Sequence, residues 1–182
     1  EAFNLASLWK LPVLYIIENN MYGMGTSVNR ASAGSELYKR GEAFSIKGNI
    51  VDGMDVFKVI SAAQEAGDYV RSGKGPYILE VQTYRYRGHS MSDPAKYRTK
   101  EELNSYKLND PIEIASQEIL KKKIASKKDL EVINKEIIQE IKDAAEYALE
   151  SLFPENAELF TNVYIWVIVY VIKNLNACFI SY

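Results

Sequence analysis

The run Leu11-Pro12-Val13-Leu14-Tyr15-Ile16-Ile17 is unbroken apolar sequence ending at Glu18-Asn19-Asn20, which predicts a buried strand feeding a polar loop. Pro12 stands at the strand's first positions, where a missing N–H is tolerated. Ahead of it, Leu5, Leu8 and Trp9 recur at helical spacing and predict an opening helix with those three on one face. A long loop begins at Met21-Tyr22-Gly23-Met24-Gly25-Thr26-Ser27, whose glycines permit close backbone approach. Ile50-Val51 before Asp52-Gly53 predicts a short strand and turn. Val56, Val59, Ile60, Ala63, Ala66, Gly67 and Val70 then recur at helical spacing, and Pro76-Tyr77-Ile78-Leu79-Glu80-Val81-Gln82-Thr83 reads as a second buried parallel strand. Helix, strand, loop, strand, helix, strand is the alternation of an α/β protein with a doubly wound parallel sheet.

From Thr99 the pattern turns helical. Thr99-Lys100-Glu101-Glu102 and Asp110-Pro111-Ile112-Glu113 both read as capped helix starts, the second with proline at its first helical position. A third helix from Ser126-Lys127-Lys128-Asp129 carries Leu130, Ile133, Ile137, Ile141, Ala144, Ala145 and Ala148 as one stripe opposite a charged face. The expected organisation is an α/β portion over 1–98 and a helical portion over 99–164. An apolar tail follows at 165–182. Its run from Ile165 to Ile172 is eight residues long, whereas a helix spanning a bilayer needs roughly twenty. An added strand or a sticky non-native tail is the reading taken over a membrane anchor.

Composition narrows the partners. The chain has 182 residues, 47% of them hydrophobic, enough for one sizeable core. Its 22 Lys+Arg against 24 Asp+Glu give a net charge of -2, so no basic field points to nucleic acid or to an anionic membrane. Lys121-Lys122-Lys123 reads as solvated helix surface. With Cys178 as its single cysteine, the chain forms no intrachain disulfide, which suits a reducing compartment. No secretory or transit signal opens the sequence.

Candidate chemistry concentrates at strand ends. Tyr84-Arg85-Tyr86-Arg87-Gly88-His89-Ser90-Met91-Ser92-Asp93-Pro94 holds the chain's one histidine directly after a predicted strand, where ligands collect in open α/β sheets. Arg85 and Arg87 suit phosphate or carboxylate, and Gly88 lets the backbone approach a ligand. A lone histidine is also often an ordinary surface or core residue. Asn19 and Asn20, at the carboxyl end of the first strand, offer amide oxygens that suit a hard cation such as Mg²⁺, or form a plain turn.

Leu-Trp-Lys-Leu-Pro, Glu-Asn-Asn-Met-Tyr-Gly-Met-Gly-Thr-Ser, Val-Asp-Gly-Met-Asp, Arg-Ser-Gly-Lys-Gly-Pro and Thr-Tyr-Arg-Tyr-Arg-Gly-His-Ser-Met-Ser-Asp-Pro, in this order, resemble the alpha subunits of the thiamine-diphosphate-dependent first component of pyruvate dehydrogenase. The resemblance runs over residues 1–164, matches the carboxyl-terminal half of such a subunit, and has no counterpart for the tail. It implies a thiamine-diphosphate-binding α/β fold with a helical carboxyl-terminal layer. It also implies the oxidative decarboxylation of pyruvate with transfer of the acetyl unit to lipoyl-lysine, in a heterotetramer with a beta subunit that works with a lipoyl-bearing acetyltransferase component. Branched-chain 2-oxo acid and acetoin dehydrogenases remain alternatives, as does an inactive chain serving only subunit contacts.

Residue by residue, the resemblance implies that Asn20 is a side-chain ligand of Mg²⁺ and Tyr22 a backbone-carbonyl ligand, with Gly23 and Arg85 on the diphosphate side. His89 is implied near the diphosphate, assisting proton transfer during reductive acetylation. Ser27 and Ser90 match regulatory phosphorylation positions of mitochondrial members. Two departures stand out. The family's Gly-Asp-Gly, which brings the first metal ligand, lies further upstream than the 18 residues before Asn19, so a chain of this extent is expected to bind the cofactor poorly. Lys96 stands where mitochondrial members carry a further phosphorylatable serine, which favours a bacterial-type, cytoplasmic protein over one of the mitochondrial matrix.

Overall fold

The central strand β5 (Tyr77–Gln82) lies parallel to β1 (Leu14–Asn19) on one side and to β4 (Lys47–Asp52) on the other, in the order β1-β5-β4. The computed structural model describes residues 1–161, so the expected tail at 165–182 lies outside the described residues. Tyr77, Ile78, Leu79 and Glu80 are all buried, as a strand covered on both faces requires. Tyr77, Leu79 and Val81 face one way, onto helix α3 (Val56–Arg71), where Ala62, Ala63, Ala66 and Val70 complete the core with Leu14 and Val51. Ile78 and Glu80 face the other way, onto a 3-10 segment at Leu37–Phe44. There Gly41 sits so close that a Cβ would come within 2.5 Å of Ile78 Cδ1. Helical elements thus cover both faces of a parallel sheet, the α/β doubly wound arrangement expected.

Helix α3 forms where the sequence places it because Asp55 caps it, its carboxylate accepting from the amides of Phe57 at 3.0 Å and Lys58 at 3.2 Å. Helix α1 (Ala2–Leu8) is present but turned from its expected orientation. Phe3 packs edge-on to Tyr15 and Phe44, with ring centroids 4.6 and 5.8 Å away, and Ala6 is buried beside it. At 100° per residue Leu5, Leu8 and Trp9 then point the opposite way, and all three are exposed.

The first strand is corrected in two respects. It starts at Leu14 rather than Leu11, since Lys10 takes φ +50 and the Leu11 amide turns back to the Ala6 carbonyl. It is also only partly buried, with Ile16 62% exposed. Among the described residues β1 pairs with β5 alone, and on its α3 side Leu14 reaches the core whereas Ile16 does not. The short strand expected at Ile50-Val51 runs six residues, because it pairs with β5 along its whole length. The long loop between β1 and β4 holds a hairpin of β2 (Tyr22–Gly23) and β3 (Thr26–Ser27), a short helix α2 (Val28–Ala31) and the 3-10 segment.

Beyond the sheet, α4 (Lys100–Lys107) is capped by the Thr99 hydroxyl, and α5 (Pro111–Lys121) by the Asp110 carboxylate with Pro111 in its first turn. The chain divides into two compact units, the first being Glu1–Lys127 and the second starting at Lys128. Helix α6 (Lys127–Glu150) is the main element of the second, with Ile133, Ile137 and Ile141 of its apolar stripe exposed. No helix among the described residues is long and apolar enough to cross a membrane.

Candidate active site

All three strands of the sheet end in line, with Asn19, Gln82 and Asp52 in register. The Thr83 amide donates to the Asn19 carbonyl at 2.8 Å, and the Gly53 amide to the Gln82 carbonyl at 2.6 Å. A Cβ on Gly53 would lie 2.6 Å from both Thr83 Cγ2 and Val81 Cγ1, so only glycine fits this crossing. The carboxyl edge of the sheet, where α/β proteins gather ligands, is therefore closely built.

At the end of β1 the two asparagines fold a turn. Asn19, buried, donates through Nδ2 to Glu80 Oε1 at 2.8 Å and accepts at Oδ1 from the Met21 amide at 3.0 Å. Asn20 Oδ1 accepts from the Tyr22 amide at 3.2 Å. Met21 adopts φ +71 between them, a conformation a residue with a side chain keeps only when its surroundings hold it there.

The loop after β5 folds against the β2–β3 hairpin. Arg85 Nη2 donates to the Met24 carbonyl at 2.7 Å and to the Tyr97 hydroxyl at 3.0 Å, and Nη1 lies 3.4 Å from His89 Nδ1. Asp93 ties the loop to itself, accepting from the amides of His89 at 2.7 Å and Ala95 at 2.8 Å and from the Tyr97 hydroxyl at 2.8 Å. Those donors, the His89 amide foremost, hold its carboxyl below the usual carboxylate range. Arg98 closes the base, donating to the carbonyls of Arg85, Tyr86 and Arg87 and lying over the Tyr84 ring at 5.2 Å. Glu102 of α4 then joins loop and hairpin, its Oε1 accepting from both Tyr22 and Tyr84 hydroxyls at 2.8 Å.

The family model described as dehydrogenase E1 component matches residues 1–156. The chain belongs to this dehydrogenase E1 family. Relatives of this E1 chain include proteins named pyruvate dehydrogenase E1 component subunit alpha from Rickettsia felis and Rhizobium meliloti, each 52% identical over 164 residues, or 90% of this chain. Those alignments cover 50% and 47% of the relatives' own lengths. A mitochondrial relative of that name from Dictyostelium discoideum is 52% identical over 91% of this chain and 44% of its own. The chain thus spans about half the length of the curated relatives it matches.

Within this E1 chain the expected site residues fall into two groups. Asn20, Tyr22 and Gly23 line a cavity of about 310 Å³ together with Glu18, Asn19, Thr26 and Ser32. Arg85, His89 and Ser90 lie outside that lining, with His89 and Ser90 exposed and the Ser90 hydroxyl 3.1 Å from that of Ser92. Ser27 is half-buried at the end of the hairpin, opposite Tyr22. Gly88 makes its close approach within the loop rather than to a ligand, since a Cβ there would come 2.5 Å from the Asp93 carbonyl.

The oxygens at the Asn turn fit a share of a hard-cation site. The Asn20 amide oxygen keeps a lone pair beyond its Tyr22 bond, and the Tyr22 carbonyl lies two residues on. Both are neutral, and among the described residues no cluster of three or more His, Cys, Asp or Glu stands ready for a metal. Charge neutralisation must come from elsewhere. Sequence reasoning missed Glu80, Asp93, Tyr97, Arg98 and Glu102. A lone carboxylate inside Tyr77-Ile78-Leu79-Glu80-Val81 was the available signal for Glu80. Glu102 passed for a capping residue, but only its amide serves Thr99, at 3.1 Å, while its carboxylate turns to the two tyrosines.

Proposed function

We propose that this chain forms part of the alpha subunit of a pyruvate dehydrogenase E1 component, which oxidatively decarboxylates pyruvate and passes the acetyl unit to a lipoyl-lysine. The observation that carries this reading is about half identity, over nine-tenths of the chain, to relatives named for that subunit. Asn20 Oδ1 and the Tyr22 carbonyl would hold Mg²⁺ against a diphosphate, with Gly23 and Arg85 on the diphosphate side. Thiamine diphosphate, when bound, supplies the nucleophilic carbon and the electron sink for breaking the bond between C1 and C2 of pyruvate.

His89 handles a proton. Arg85 Nη1 only donates and lies 3.4 Å from His89 Nδ1, which leaves Nε2 as the ring nitrogen that exchanges a proton with substrate. When the lipoyl S–S bond opens and one sulfur takes the acetyl group, the other leaves as a thiolate, which takes a proton from the imidazolium form of His89 and leaves the ring neutral. Asp93 and Arg98 keep the loop in shape for that transfer. Phosphorylation at Ser90 or Ser27 would bring negative charge beside the diphosphate and disorder the loop. The partners are a beta subunit in a heterotetramer and a lipoyl-bearing acetyltransferase component, in the bacterial cytoplasm or, for a mitochondrial form, the matrix.

The test is reductive acetylation of a lipoylated domain by the full-length subunit assembled with its beta subunit. Pyruvate is the expected donor. Preference for a branched-chain 2-oxo acid or acetoin would move the chain to another branch of the family, and no turnover with any donor would leave subunit contact as its role.

A further inference from the structure

Glu80 is fully buried in the middle of β5, and among the described residues no ion pair reaches it: its two oxygens take the Asn19 amide group at 2.8 Å and the Tyr38 backbone N–H at 3.0 Å. A carboxylate held this way in an apolar strand is costly unless both bonds are made. One bond reaches Asn19, which lines the cavity, and the other reaches Tyr38, next in sequence to the lining residue Leu37. Asn19 passes the first on through Oδ1 to the amide of Met21, the residue at φ +71 that sets where Asn20 and Tyr22 point. Tyr38 belongs to the 3-10 segment whose first residue, Leu37, lines the same cavity.

We infer that Glu80 is a positioning residue for the cation-binding turn, fixing Asn20 and Tyr22 through Asn19 while pinning the 3-10 segment that carries Leu37 through Tyr38. The inference rests on the reading that Asn20 and Tyr22 hold Mg²⁺, and the hydrogen-bond pattern makes it specific. The site needs three acceptors and one donor between positions 19 and 80: acceptors for the Met21 and Tyr38 amides, and one donor–acceptor pair between the two side chains. Glu80→Gln beside Asn19 leaves one too few acceptors in every flip of the two amides, so one buried N–H goes unmet. Asn19→Asp combined with Glu80→Gln restores the full set with the single negative charge moved across the bond.

The experiment titrates Mg²⁺ with thiamine diphosphate into the full-length subunit assembled with its beta subunit, by calorimetry. Amide hydrogen exchange at Met21 and Tyr38 is read in the same samples without ligand. Glu80→Gln should weaken binding about tenfold, the scale of one buried unmade hydrogen bond, and speed exchange at one or both amides. The Asn19→Asp/Glu80→Gln pair should recover both. If Glu80→Gln alone does not fold, the double variant must still fold and bind as the parent does. Wild-type binding and exchange in Glu80→Gln, or a folded double variant without recovery, overturns the inference. Binding that survives Asn20→Ala unchanged while Glu80→Gln still weakens it overturns the Mg²⁺ reading instead, with Glu80 acting on another part of the cavity.

Discussion

Tyr22 and Tyr84 donate to the same atom, Oε1 of Glu102, each across 2.8 Å. That shared oxygen links the hairpin after β1 to the loop after β5 and the first turn of α4, which lie some 60 to 80 residues further along the chain. Burial first, then the Glu102 bond, raise the Tyr84 hydroxyl to about 12, with Arg98 pulling the other way. Tyr22 is raised by the same two causes in the same order.

A tyrosine in the unfolded chain ionises near 10, so the folded state's preference for the neutral Tyr84 hydroxyl is complete below that pH and is lost as pH climbs towards 12. Thermal melts from pH 9 to about 12 should therefore show the midpoint falling, and Tyr84→Phe should reduce the slope. An unchanged slope in Tyr84→Phe would mean that Tyr84 ionises as an ordinary tyrosine.

Asp93 titrates in the opposite sense. Its carboxyl is lowered by the His89 amide first, then the Ala95 amide and Tyr97, so its contribution is present above the ordinary carboxylate pKa and disappears as pH falls through the lowered value. Amide exchange at His89 and Ala95 should accelerate as pH drops below about 4, beyond the intrinsic rate change. In Asp93→Asn that extra acceleration should be missing, with faster exchange already at neutral pH.

Arg98→Lys keeps the charge but not the fork that reaches the carbonyls of Arg85, Tyr86 and Arg87. Stability should fall by about 2 kcal/mol, and proteolysis between Arg85 and Arg98 should become the earliest cut. Equal cleavage in both proteins would show that the guanidinium does not hold the loop.

In the assembled enzyme, His89→Ala should leave decarboxylation with an artificial electron acceptor largely intact and reduce lipoyl acetylation by about a hundredfold or more. Equal losses in the two assays would contradict the proton-transfer role.

How much of this could be read from the residues depends on how local each cause is. β5 and α3 follow from an apolar run and a helical repeat, and Asp110-Pro111 marks α5 because a cap acts within its own turn. The 3-10 segment escapes, since Leu37-Tyr38-Lys39-Arg40-Gly41 has no apolar period and is fixed by tertiary contacts, the Tyr38 amide on Glu80 and Gly41 against Ile78. The opening helix was legible, but its rotation was not, because Phe3 finds Tyr15 and Phe44 only after the sheet has formed. Asn20, Tyr22, Arg85 and His89 stand in motifs that can be read locally in the sequence. The carboxylates that hold their segments, Glu80, Asp93 and Glu102, acquire that work from partners distant in sequence or from loop shape.

The most direct measurement is a calorimetric titration of thiamine diphosphate, with and without Mg²⁺, into the full-length subunit assembled with its beta subunit, comparing wild type with Asn20→Ala. Tight, Mg²⁺-dependent binding that Asn20→Ala removes is the predicted result; binding that ignores Mg²⁺, or that Asn20→Ala leaves unchanged, would contradict the assignment of the turn after β1 as the cation site.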